Sequence, residues 1–118
     1  MLEESGSSGS FLYSGVTLQD MAAYLIADVS VTDPEHYPDY VRLVPDTLEP
    51  FGGRFIARGG TIEPLEGGWL PQRLVVIEFP SLEQAKAWYH STEYASAKEL
   101  RQRYSDGRLI IVEGVPPA

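Results

Sequence analysis

The chain has 118 residues, 43% of them apolar and 22% charged, which fits one small globular domain and excludes a chain disordered throughout. Nine basic against seventeen acidic residues give a formal charge of −8; without a Lys/Arg cluster to neutralise phosphates, neither nucleic acid nor an anionic membrane is expected as a partner. Cysteine is absent, which excludes disulfides and thiolate metal sites, and no apolar run approaches the roughly 20 residues of a membrane span, so the cytoplasm is the expected compartment.

Residues 1–20 differ from the rest. Gly6-Ser7-Ser8-Gly9-Ser10 has the composition of a flexible linker. Residues 11–20 are more apolar but show no period, and patterned sequence begins just after Met21. We read residues 1–20 as a flexible or cloning-derived extension and residues 21–118 as a single domain, with residues 11–18 able to dock on it.

Tyr24 to Val31 alternates and is rich in β-branched and aromatic residues, so it reads as a strand. Asp33-Pro34 supplies an N-cap and a first helical proline. Tyr37, Tyr40, Val41, Val44, Leu48 and Phe51 then form one helical stripe. Pro38 and Pro45 interrupt it, which predicts a tight start and a kink near Pro45. Gly52-Gly53 ends the helix. Arg54 to Arg58 reads as a second strand, with Thr61 to Leu65 continuing it past a bulge at Gly59-Gly60. Arg73 to Phe79 is a nearly continuous apolar run, the mark of a central strand. Ser81-Leu82-Glu83-Gln84 is a capping box opening a second helix, and Ser91 caps a further one carrying Tyr94, Ala97, Leu100 and Tyr104. Asp106-Gly107 reads as a turn and Leu109 to Glu113 as the last strand.

This order is βαββαβ, the ferredoxin-like pattern of the α+β class: a four-stranded antiparallel sheet with helices on one face. Strand alternation sorts the faces. Leu25, Ala27, Val29 and Val31, with Phe55, Ala57, Val75, Ile77, Phe79, Ile110 and Val112, are expected under the helices. The other face then carries Ile26, Ile56, Leu74, Val76, Leu109 and Ile111 beside Asp28, Glu78, Glu113, Arg54 and Arg58. So many branched aliphatics on an open face predict a homodimer, with two such faces packed together. The carboxylates are expected to pair with the arginines rather than hold a metal, because two guanidiniums share their face.

The residues resemble a known family. Its first half is matched by Asp33-Pro34, Tyr37, Tyr40, Gly52-Gly53-Arg54-Phe55 and Arg58-Gly59-Gly60. Its second half is matched by Glu78-Phe79-Pro80-Ser81, Ala85, Trp88-Tyr89, Ser91, Glu93-Tyr94 and Arg101. The chain resembles the domain-of-unknown-function 1330 family of the dimeric α+β barrel superfamily, over about residues 21–115. Thr92 departs from the pattern, since proline is common at that position. The resemblance implies the fold and the dimer. It implies no particular activity: superfamily relatives include cofactor-free monooxygenases, lactone isomerases, haem enzymes and ligand binders.

Candidate chemistry is sparse. His36, in the first turn of the first helix, is a weak candidate general base or a plain surface residue near the cap. His90 has even less context. Tyr37, Tyr40, Trp88, Tyr89 and Tyr94 either line a small-molecule pocket between helices and sheet or pack as core. Arg58, beside two glycines, either holds a carboxylate or sits at a bulge paired with Glu78 or Glu113. Arg101 reaches Glu93 or an anion. No GxSxG, HExxH, P-loop or dinucleotide fingerprint occurs, so no cofactor and no metal are expected. The ligand-binding set is therefore Tyr37, Tyr40, Arg58, Trp88, Tyr94 and Arg101. The function expected is small-molecule binding, extending to a cofactor-free enzyme on an apolar carbonyl or carboxylate compound. The alternative is a non-catalytic dimerisation module.

Overall fold

In a computed structural model, the residues described are 12–13, 16–17 and 21–116. Strands β1 (Leu12–Tyr13) and β2 (Val16–Thr17) form a small antiparallel sheet of their own. The remainder of the 1–20 extension, and with it the expected linker and docked peptide, lies outside the described residues.

The main sheet contains β3 (Ala23–Val31), β4 (Arg54–Arg58), β5 (Arg73–Phe79) and β6 (Ser105–Glu113). Its spatial order is β4-β5-β3-β6, and every neighbouring pair is antiparallel. Helices α1 (Tyr37–Leu48), α2 (Leu82–Tyr89) and α3 (Thr92–Tyr104) cover one face. This is the ferredoxin-like α+β arrangement read from the sequence. The core joins Leu25, Val29, Ile77 and Phe79 of the sheet to Tyr37, Val44, Leu48, Trp88 and Tyr94 of the helices.

Local chemistry explains the helix ends. The Asp33 carbonyl accepts from the Tyr37 N–H and its carboxylate from the His36 N–H. The helix therefore begins at Tyr37, three residues after the expected Pro34, and Pro38 sits in the first turn where its missing N–H has no helical partner. Pro45 lies inside α1. A 3-10 turn over Glu49–Phe51 follows, and Gly52 at φ 73° ends it. Ser81 accepts from the Gln84 N–H and Ser91 from the Tyr94 N–H, the two caps that start α2 and α3.

Four expectations about the sheet are corrected. Thr61 to Leu65 forms no strand; it belongs to the irregular connection between β4 and β5. Asp106-Gly107 is no turn, because β6 starts at Ser105 and pairs along the whole of β3. The bulge lies inside β4: Phe55 faces Ile77 while Ala57 faces Val76, leaving Ile56 as the extra residue. That extra residue reverses the alternation, so Arg58, opposite Val75, points with Phe55 toward the helices, and Ala57 points away. Finally, β6 has the opposite phase. Leu109 and Ile111 oppose the buried Ala27 and Leu25, whereas Ile110 and Val112 lie on the open face, 62% and 46% exposed. Glu113 opposes Ala23 and so shares the helix-side register.

On the open face Arg54 pairs with Glu78 at 2.6 Å and Arg108 with Asp28 at 2.7 Å. Tyr24 adds a hydroxyl donor to Glu78. Trp69, from the connection before β5, donates its indole N–H to Asp28 and borders one surface cleft with Ile26 and Ile110. The Arg108 and Trp69 hydrogen bonds hold the Asp28 carboxyl below its ordinary pKa. Among the described residues no group of three His, Asp or Glu side chains could hold a metal ion, and no helix is long and apolar enough to cross a membrane.

Candidate functional site

A cavity lies between the helices and the sheet. Each wall follows from periodicity: Tyr37, Tyr40, Val41 and Val44 share one face of α1, Trp88 comes from α2, and Tyr94 and Arg101 stand two turns apart on α3. The floor is Leu25, Ala27 and Val29 of β3 with Val75 and Ile77 of β5. All six expected ligand-binding residues, Tyr37, Tyr40, Arg58, Trp88, Tyr94 and Arg101, line this one space. Arg58 reaches it only because of the β4 bulge.

Its aromatic wall is tightly stacked. The Trp88 and Tyr94 ring centroids are 3.9 Å apart, and Phe79 lies 5.6 Å from Trp88. Trp88 Nε1 donates to Thr47 Oγ1, whose hydroxyl donates to the Val44 carbonyl. This buried chain fixes the indole, and sequence reasoning missed Thr47 because a threonine in a helix carries no signal of its own. Tyr40 and Tyr94 hydroxyls meet at 3.0 Å, and Arg101 Nε donates to Tyr94 at 3.3 Å. Burial, reinforced by the neighbouring Tyr94, pushes the Tyr40 phenol far above its ordinary pKa. Burial likewise raises Tyr94, against the lowering influence of Tyr40 and Arg101. Both phenols therefore stay protonated; one O–H is spent on the other hydroxyl, which leaves one donor between them.

Three guanidiniums border the cavity: Arg58, Arg101 and Arg73, the last not anticipated from sequence. Arg73 opens β5, where it reads as a strand boundary rather than a site. Arg101 is only 5% exposed. It bonds Tyr94 rather than the expected Glu93. Arg58 lies over the Phe55 ring at 4.0 Å and donates to the Val41 carbonyl at 2.7 Å. It pairs with neither Glu78 nor Glu113. Arg73 lies over Tyr37 at 5.5 Å, and its Nε is buried with no hydrogen-bond partner. Among the described residues no carboxylate pairs with any of the three. Burial, and then the like charge of Arg73, lower the Arg58 pKa, the electrostatic mark of cations crowded without a counter-ion.

The cavity is small and mostly enclosed. Its free space of about 20 Å³ admits one water. Arg101 and Leu109 separate it from an outer cleft of about 340 Å³ lined by Tyr89, Gln102, Ser105, Asp106 and Gly107. His36 is elsewhere. It caps the start of α1 on the surface, bonds Asp33 at 2.9 Å and stacks on Tyr104 at 5.5 Å. His90 ends α2 and is also exposed.

Solved structures resemble this fold at low sequence identity. A protein of unknown function from Rhodopseudomonas palustris aligns with a TM-score of 0.66 and 20% identity, over 83% of this chain and 85% of that one. A dimeric ferredoxin-like protein of unknown function from Thermobifida fusca gives 0.56 and 15%, over 82% and 94%. SnoaB, a cofactor-independent oxygenase from Streptomyces nogalater, gives 0.56 and 9%, over 83% and 96%. No curated protein matches the chain. The model of the Domain of unknown function family DUF1330 matches residues 22–115, and the chain belongs to that family.

Proposed function

We propose that this protein binds a small organic anion with an apolar body, a carboxylate or an enolate, in the cavity between helices and sheet. One observation carries the reading: Arg58, Arg73 and Arg101 border an aromatic cavity with no carboxylate paired to them among the described residues. Cations withdrawn from water require a counter-charge. Trp88 and Tyr94 shape the apolar part, Tyr37 and Tyr40 close it, and the guanidiniums take the anionic group. Entry requires the Arg101–Leu109 partition to give way, joining the cavity to the outer cleft.

The lining residues include no carboxylate and no imidazole, so a neutral substrate would find no general base there. Chemistry in this cavity is limited to ligands that arrive as anions or ionise readily. This favours a binder, or a cofactor-free enzyme whose substrate supplies its own negative charge, over an acid–base catalyst using His36. Calorimetric titration with benzoate and with neutral benzamide tests the reading. Benzoate should bind and benzamide should not; equal behaviour of the two would sink it.

The reading includes a homodimer formed through the open sheet face, with the cytoplasm as the compartment. Ile110, Val112 and Trp69 leave apolar surface exposed on that face, and the fold is shared with a protein described as dimeric. Sedimentation equilibrium measures the assembly directly, and a monomer at micromolar concentration would remove this part.

A further inference from the structure

The three cations are not gathered at one point. Arg73 opens β5, and a Cβ built on Gly59, just beyond β4, would overlap Arg73 Nη1. The Arg73 guanidinium is thus turned toward the β4 edge, beside Arg58. Arg101 lies toward the other edge: its Nη1 is 3.1 Å from where a Cβ on Gly107 of β6 would stand. Arg73 and Gly107 both oppose Val29, one on each side, so they flank it in one row across the sheet. Successive strands are about 4.8 Å apart, which separates the two guanidinium positions by about 14 Å across β4, β5, β3 and β6.

Besides the arginines, the lining is apolar apart from the Tyr40–Tyr94 hydroxyl pair, the Tyr37 phenol and the Trp88 indole N–H, which is spent on Thr47. Each pole has unspent donors. Arg73 Nε is buried and unpartnered. Arg58 commits one Nη2 donor to Val41, and Arg101 commits Nε to Tyr94, leaving further N–H groups on each.

We propose that the ligand is a dianion with a flat apolar middle, one charged group held by Arg58 and Arg73 and the other by Arg101 with Tyr94. This deepens the small-anion reading and rests on it. Allowing an ordinary hydrogen bond of about 2.9 Å at each end leaves about 8 Å between the terminal oxygens of the ligand. A benzene ring bearing para carboxylates has about this reach, and it enters only as the aromatic wall and the Arg101–Leu109 partition give way, because the space now admits one water. A monoanion would satisfy one pole and leave the other, the buried Arg101 or the half-buried Arg58 and Arg73, without a counter-charge.

The test compares terephthalate with 4-carbamoylbenzoate, which has the same shape and one charge fewer. Both are titrated calorimetrically into the full chain, with benzoate as reference. Terephthalate should bind about tenfold tighter or more than its half-amide. That ratio should fall to within about twofold in Arg101→Gln, which removes one pole, and should fall partway in Arg73→Gln, which leaves Arg58 alone at the other. Arg73→Lys keeps the charge and should keep most of the preference. If the half-amide binds the wild-type protein as tightly as terephthalate, the two-pole site is wrong while the small-anion reading stands. A preference undiminished in both Gln variants also overturns the two poles. If none of the three probes binds, both readings fail together.

Discussion

Arg58 donates to the carbonyl of Val41, the same carbonyl that Pro45 leaves without its helical N–H donor. A proline inside α1 and an arginine on β4 are therefore coupled through one oxygen. The β4 bulge makes this possible by turning Arg58 toward the helices. Arg58→Met should destabilise the protein by about 1–2 kcal/mol, because the carbonyl then lacks its donor. In a Pro45→Ala background the helix supplies that donor, and the loss should shrink by about 1 kcal/mol. Urea unfolding of the four proteins gives the coupling; equal losses in both backgrounds would show that Arg58 and Pro45 act independently.

Tyr94 serves two partners and Tyr40 one. Removing the Tyr94 hydroxyl strands both Tyr40 and Arg101 Nε in a buried site, whereas removing that of Tyr40 leaves Tyr94 still bonded to Arg101. Tyr94→Phe should cost about 1–3 kcal/mol and Tyr40→Phe about 0.5–1.5 kcal/mol. The ranking is the informative part, and thermal unfolding of the two variants reads it.

Gly59 and Gly60 should respond differently to the same substitution. Gly59 has φ 72° and no space for a Cβ beside Arg73, while a Cβ on Gly60 meets nothing within 4 Å. Gly59→Ala should cost about 1–3 kcal/mol and displace the Arg73 guanidinium, weakening benzoate binding. Gly60→Ala should stay within about 0.5 kcal/mol of wild type. Denaturation and calorimetry on the pair check both statements.

The proposed homodimer would form through the open sheet face. Ile110→Glu places a charge among Ile26, Trp69 and Val112 without touching the core. It should shift the protein toward monomer with little change in the far-ultraviolet spectrum. Sedimentation velocity against concentration distinguishes this from a face that buries nothing.

His36 and Asp33 predict a pH signature. The Asp33 hydrogen bond, then its charge, raise the His36 pKa above the ordinary histidine value. The hydrogen bond from His36 is the main cause lowering Asp33. A raised histidine stabilises the fold fully below its unfolded pKa, and that contribution fades as pH rises through the folded value. Lowered Asp33 contributes above its unfolded pKa, and loses this as pH falls through its folded one. The pair is exposed, so the effect is read best on the residue itself. In an NMR titration, Asp33→Asn should move the His36 midpoint down; an unmoved midpoint would separate the two residues.

Much of this molecule was legible in the sequence because it is written in local chemistry. The period-two and helical stripes located every strand of the main sheet and every helix, and Ser81 and Ser91 marked helix starts that the structure places at the next residue. The pattern Trp88 to Tyr94, with Arg58-Gly59-Gly60 upstream, gave the family. Tyr37, Tyr40, Trp88 and Tyr94 fell on one side of their helices because helix geometry repeats regularly along the chain. What only the tertiary structure decided was phase across strands. Leu109, Ile110, Ile111 and Val112 are equally apolar, so alternation alone could not say which pair faces the helices; the register against Leu25 and Ala27 did. Nothing local distinguishes Ile56 as the extra residue in β4, because a bulge is defined by what the partner strand offers opposite it. The same reason hid Arg73. Its meaning depends on Gly59, Tyr37 and Arg58, which lie 14, 36 and 15 positions away and meet only when β4, β5 and α1 are packed together.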